Sequence, residues 1–261
     1  MTTKLAGRLC IDTHIHVYPH YDVSRLLAAA RRNFLRQTAD GDGVQYALAL
    51  VEREGTDVFG DWLAGERLPP DVRATALDAT ALRLNFADGF ALLVLAGRQV
   101  ACRERIELLG LGCRRVVPDG VSLPEAVEQL RAAGALPVLA WGIGKWLFGR
   151  AKTVTELLEK FAPPELLLGD SSLRPVGWPE PLIMRRARKE GRRILAGSDP
   201  LPPQSEEVQA GRYCSLLELD PAGLQDSNLS AYIKDALRNP ALPLRSVGKR
   251  SSPLEFLRRR G

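Results

Sequence analysis

Leu9-Cys10-Ile11-Asp12-Thr13-His14-Ile15-His16 is the first apolar run of the chain, and it ends in two of the three histidines among 261 residues. An apolar run of this length and composition predicts a strand of parallel-sheet type. Residues two apart on a strand project to the same face, so both imidazoles can reach one ion. The shortage of histidine constrains the rest of such a site. Apart from His20, any further ligand must be a carboxylate, a thiolate or a modified lysine.

Outward from this run, strand-like and helix-like segments alternate, which argues for a parallel sheet or barrel with helical crossovers. Helical spacing covers 23–35, and a second strand covers 44–51 before Glu52. Between about 72 and 112 the runs shorten. Asp88-Gly89 and Ala96-Gly97 there read as turns of an antiparallel ribbon attached to the main sheet. Ser122, Pro124 and Glu125 mark a helix start and Gly134 its stop. Strands at 136–141, 165–170 and 193–199 then alternate with helices at 153–161 and 181–189, followed by a strand at 213–219 and a helix at 229–237. The expectation is one domain over 1–261, with the β-rich insertion at 72–112 and a C-terminal extension from about 221.

The hydrophobic content of 45% suits a globular α/β protein. No apolar stretch approaches the roughly 20 residues of a membrane helix, and Met1 to Arg8 lack the apolar region of a secretory signal, so a cytoplasmic protein without a membrane partner is expected. Four cysteines, Cys10, Cys102, Cys113 and Cys214, form no Cys-x-x-Cys pair and read as buried thiols. The net charge is +5, but the basic excess lies in short runs such as Arg31-Arg32, Arg185-Arg186, Arg192-Arg193 and Arg258-Arg259-Arg260. With aromatics at 6%, these runs read as helix surfaces, which argues against a nucleic-acid partner.

Four strands end in metal- or anion-binding types: His14 and His16, Glu52, Asp170, and Asp199. In parallel α/β folds the site lies at the carboxyl ends of the strands, so these residues should converge. Each has a plainer reading. Asp170 can equally cap the next helix, and Asp12 can be a cap or a carboxylate that orients a ligand. His20, in a loop after Pro19, is exposed or faces substrate. Gly142-Ile143-Gly144-Lys145 lacks the spacing of a P-loop, yet Lys145 between Trp141 and Trp146 suits an anionic or flat ligand.

Ile11-Asp12-Thr13-His14-Ile15-His16, Leu95-Ala96-Gly97-Arg98-Gln99-Val100, Arg105-Ile106-Glu107-Leu108-Leu109-Gly110 and Leu195-Ala196-Gly197-Ser198-Asp199-Pro200 resemble, in order, the motifs of the PHP (polymerase and histidinol phosphatase) family. Trp141 to Trp146, Gly169 to Pro175 and Gly197 to Pro202 resemble a bacterial PHP-like subgroup. The family is related to the amidohydrolases. The resemblance implies a distorted (β/α)7 TIM-like barrel and metal-assisted hydrolysis of phosphate esters. The departures imply fewer ligands: Val51-Glu52-Arg53 stands where the family has Thr-Asp-His, Gly97-Arg98-Gln99 where it has Gly-x-Glu, and Glu107, Trp141 and Leu201 where it has histidines.

Direct match leaves His14, His16 and Asp199 as metal ligands, with Glu52, Glu107 and Asp170 as further oxygen donors, for one or two ions of zinc, manganese or iron. In the leading reading, a phosphoesterase-like or amidohydrolase-like hydrolase, Asp199 or Asp170 takes the proton of an activated water. Lys145 and Arg174 hold a small anionic substrate, with Arg98, Trp141 and His20 as further substrate contacts. An alternative is a metal-free barrel that binds an anionic ligand or partner without turnover through Lys145, Arg98 and Arg174. Nucleic-acid processing ranks below both, and the sequence leaves the oligomeric state open.

Overall fold

The opening apolar run forms strand β1 (Gly7–Ile15) in the computed structural model, which describes residues 7–38, 43–146, 149–225 and 227–260. Residues 1–6, part of the stretch read for a secretory signal, lie outside the described residues. Helix α1 (Val23–Gln37) starts at Asp22, whose carboxylate accepts the Arg25 N–H at 3.1 Å. β2 (Val44–Leu50) returns parallel to β1. Beyond the short α2 (Val58–Leu63), β3 (Val72–Asp78), β4 (Ala81–Phe86) and β5 (Ala91–Leu95) form an antiparallel ribbon over only part of the stretch expected at 72–112, whose remainder lies in a second sheet. Its last strand pairs parallel with β2, which makes the ribbon one end of the main sheet. β11 (Tyr213–Leu219) lies antiparallel on the other side of β1, and β12 (Leu244–Gly248) lies outside it. The result is a seven-stranded sheet in the order β12-β11-β1-β2-β5-β4-β3.

A second sheet holds β6 (Gly97–Ala101), β7 (Glu107–Leu111), β8 (Leu136–Ala140), β9 (Leu167–Ser171) and β10 (Ile194–Gly197), in the order β10-β9-β8-β7-β6. Helices α3 (Leu123–Ala132), α4 (Gly149–Lys160) and α5 (Leu182–Lys189) cover its outer face, where Leu108, Leu139, Leu168 and Ile194 meet Leu130, Val154, Leu157 and Met184. The inner faces of both sheets share a core of Leu9, Ile11, Ala47, Leu109, Val138, Leu167, Leu195 and Leu217, sealed by Ile233 and Leu237 of α6 (Leu229–Arg238). The last described helix is α7 (Pro253–Arg260). Neither β12 nor α7 was expected from the sequence. All four cysteines are buried and free, and no described helix is long and apolar enough to cross a membrane.

These two open sheets replace the closed (β/α)7 barrel that the family resemblance implied. The reason lies in strand edges. β11 and β2 occupy both edges of β1, so β10 meets β1 only through isolated bonds such as Thr13 Oγ1 to the Ala196 carbonyl at 3.1 Å. β5 takes the edge of β2 over Ala47–Ala49, leaving β6 a single bridge, between Glu52 and Arg98.

The Ala96-Gly97 turn is also corrected: the chain runs through these residues from β5 into β6 and so passes from one sheet to the other. Gly97 allows this because a Cβ there would stand 2.4 Å from the Leu50 carbonyl oxygen and 2.9 Å from that of Gly110. Gly97→Ala should therefore cost about 1–3 kcal/mol, read as a fall of roughly 2–4 °C in Tm per kcal/mol. Gly149→Ala, in a helix with nothing within 4 Å of the added carbon, should leave Tm level or raise it. Equal behaviour of the two variants in thermal unfolding would contradict this account.

Candidate metal centre and its cleft

On β1, Leu9 and Ile11 face the core between the sheets, whereas Cys10 faces α1. Strict alternation would send His14 and His16 to the α1 side with Cys10. The register with β2 slips instead: Asp12 lies opposite Leu48 and Ile15 opposite Leu50. The slip exchanges the faces, so that Ile15 joins the α1 core and the two histidines turn toward the end of β10. Asp12 fixes the irregularity. Its Oδ1 accepts the N–H groups of His14 at 3.2 Å and Ser198 at 2.8 Å, and its Oδ2 accepts that of Gly211 at 2.9 Å. Full burial pushes this carboxyl up to about 7 despite those bonds.

Across the gap, β10 ends in Gly197-Ser198-Asp199. Gly197 packs directly on His14, where an added Cβ would sit 2.5 Å from the His14 Cβ. Asp199 has a φ of 51°, in the left-handed region that non-glycine residues seldom adopt. Its N–H donates to the His14 carbonyl at 2.9 Å.

In this frame the Nε2 atoms of His14 and His16 face each other at 3.2 Å, and Asp199 Oδ1 lies 3.4 Å from the His14 Nε2. One donor atom from each residue falls within 4.8 Å of the others, and among the described residues this is the one such group of three. Burial, reinforced by His14, pushes His16 down to about 3, so its imidazole stays neutral and keeps a lone pair for a cation. Burial alone would raise the Asp199 carboxyl. His14, Lys145 and a hydrogen bond from Ser171 Oγ at 3.2 Å are among the influences that outweigh it and hold the group below its ordinary value. Two imidazoles and an ionised carboxylate aimed at one point fit a divalent cation.

The other sequence candidates lie outside this group of three. Glu52 is buried against Arg98, at 3.2 Å, and accepts the Phe59 N–H at 2.7 Å. Asp170 receives Arg174 in a two-point pair at 2.7 and 2.6 Å and the Tyr213 hydroxyl at 2.9 Å. Both arginines proposed for anions are thus each bound to a carboxylate of the chain. Glu107 pairs with Lys145 across the cleft. Trp141 packs in the outer core with Trp146. His20 is exposed, with Nε2 2.5 Å from the Pro202 carbonyl oxygen.

A cleft of about 300 Å³ opens on the centre. His16, Asp199, Arg53, Glu107, Lys145 and Tyr18 give it a polar floor, and Leu173, Leu201, Pro202 and Phe256 an apolar wall. Tyr18 and Arg53 were not read as site residues from the sequence. For Tyr18 a signal existed, since it extends the alternation His14-x-His16-x-Tyr18. Its ring lies 5.6 Å from that of His16, and burial together with Asp199 pushes its hydroxyl up to about 12.

The α/β fold of the chain is shared with solved structures. In fold it is similar to PsfC from Pseudomonas syringae, with a TM-score of 0.63 at 14% identity over 97% of both chains. It is similar as well to PfuEndoQ, a lesion-specific endonuclease from Pyrococcus furiosus, with a TM-score of 0.51 at 11% identity over 91% of this chain and 57% of that one. At such identities the likeness is one of fold alone. No protein-family model matches the sequence, and no curated protein matches it.

Glu52 provides a test of the buried pairs. Burial outweighs the Phe59 N–H and Arg98 and pushes its carboxyl up to about 7 from 4.5. The folded state therefore holds this proton more tightly than the unfolded chain, and stability is lost as pH rises from about 4.5 through 7. Glu52→Gln removes this component. Between pH 5 and 8 its unfolding free energy should gain on that of the parent by about 1–3 kcal/mol, measured by urea titration. A pH-independent difference would mean that Arg98 keeps Glu52 ionised.

Proposed function

We propose that the chain is a metal-dependent hydrolase acting on a small anionic substrate of the phosphate-ester type. The observation that carries this reading is the convergence of His14, His16 and Asp199, of which His16 and Asp199 line a cleft that also presents Arg53 and Lys145. The donor set suits zinc, manganese or iron, and one ion rather than two, since Glu52 and Asp170 are held by arginines. An ion bound there would supply an acidified water and polarise an oxygen of the scissile group.

The chain's own residues do the rest. Asp199, kept ionised by its neighbours, is the proton acceptor, with Oδ2 steadied by Ser171. Asp170 is excluded from that role by its bonds to Arg174 and Tyr213. Lys145 and Arg53 hold the anionic group and offset charge that develops in the transition state. Tyr18 retains its proton over the physiological range and donates a hydrogen bond to the same group. The apolar wall receives the organic part of the substrate and displaces water from the centre.

The motif resemblance to the PHP family and the fold shared with a lesion-specific endonuclease support phosphate-ester chemistry. The cleft volume, at the small end for a ligand pocket, and the engagement of Arg98 and Arg174 by carboxyl groups of the chain favour a small molecule over a nucleic acid. A second reading, a binder of small anions without turnover, is favoured by one observation: the described residues offer a single group of three donors.

Metal analysis and a chromogenic phosphate monoester separate the two. The hydrolase should carry about one equivalent of metal, lose turnover on chelation, and lose both metal and at least about 100-fold in kcat in His14→Ala and in Asp199→Ala. Turnover that survives chelation would refute the proposal, and phosphate binding without turnover that survives His14→Ala would establish the second reading.

A further inference from the structure

Helix α7 carries an arginine where a surface run was expected. Of Arg258-Arg259-Arg260, Arg259 is buried, with its side chain 4% exposed, and its guanidinium lies behind the metal centre. Nε and Nη2 donate to the Glu206 carboxylate at 2.6–3.0 Å. Nη1 donates to the hydroxyls of Ser251 at 2.9 Å and Ser172 at 3.1 Å, and Nη2 to the Asp199 carbonyl at 3.4 Å. Ser172 Oγ in turn donates to the Ser198 carbonyl at 2.5 Å. Both carbonyls that follow β10 are therefore tied to one guanidinium, the first through a serine and the second directly.

Asp199 needs such a restraint. Its φ of 51° is unfavourable for an L-residue with a Cβ, and Pro200 follows it. A residue before proline is pushed toward extended backbone, and strained conformations persist only where the surroundings impose them. The His14 carbonyl holds the Asp199 N–H, and Arg259 holds its C=O.

We propose that Arg259 is a positioning residue that clamps Asp199 in its left-handed conformation and so aims its carboxylate at His14 and His16. The consequence for metal affinity rests on the hydrolase reading above, whereas the backbone clamp does not. The planar guanidinium reaches Glu206, two serines and a carbonyl at once, which a lysine cannot do.

Arg259→Lys is the direct test. The pair Arg259→Met with Glu206→Met keeps the fold by removing both buried charges together. In metal-free protein, amide hydrogen exchange at Asp199 should quicken at least about 10-fold in the double variant, with Leu195 and Ala196 of β10 unchanged. Zinc Kd, from competition with a chromophoric chelator, should rise about 10- to 100-fold. Adding Pro200→Ala, which lifts the restriction on Asp199, should recover part of that loss. Unchanged exchange and zinc Kd in the folded double variant would overturn the proposal, as would equal acceleration along all of β10. If the parent binds no zinc, the metal reading falls and the Asp199 amide still decides the clamp.

Discussion

One buried carboxylate, that of Asp12, joins the three strand ends on which the centre stands. Its oxygens accept N–H groups from His14 on β1, from Ser198 after β10, and from Gly211 before β11. No ladder can connect β1 to β10, because β1 already has a strand on either side. Asp12 does the work of a ladder at the one level where alignment matters. Burial of the carboxylate outweighs these bonds and pushes the carboxyl up to about 7, so the alignment comes at a cost in stability. The same bonds hold open the irregularity of β1, without which His14 and His16 would face α1. The geometry of the centre is thus set one step behind the ligands themselves.

The elements were largely legible in the sequence because apolar periodicity and helix stops such as Gly134 are local signals. The strand-end residues were legible too, and His14, His16 and Asp199 do meet. What escaped was non-local. Alternation along Leu9 to His16 reads as continuous, and nothing in it reveals the register slip between Asp12 and Ile15, which depends on β2 as partner. The barrel failed for a similar reason: strand order around β1 and β2 depends on β11 and β5, which arrive much later in the chain or through an antiparallel detour. Ala96-Gly97 has the composition of a turn, yet the crowding of Leu50 and Gly110 around Gly97 gives it an extended crossing.

Charged residues were the least legible. An arginine beside a site and an arginine bound to a carboxylate look alike in a sequence. Arg98 and Arg174 finished against Glu52 and Asp170, whereas Arg53, passed over as a departure from a motif, lines the cleft. Arg259 lay inside a basic run, a pattern that usually marks a solvated face, and it became the most enclosed of the three because Glu206 and the ends of β9 and β10 leave a polar hole of its shape.

Arg98, Arg174 and Arg259 are each paired with an acid within the molecule, and Arg192 and Arg193 are buried against backbone carbonyls, so much of the arginine content is engaged internally. Within the cleft, which Arg53 also lines, Lys145 is engaged by Glu107. On the proposed reading, an anion that gains Lys145 must displace Glu107, so discrimination among anions would rest on competition with a carboxylate that is already part of the site.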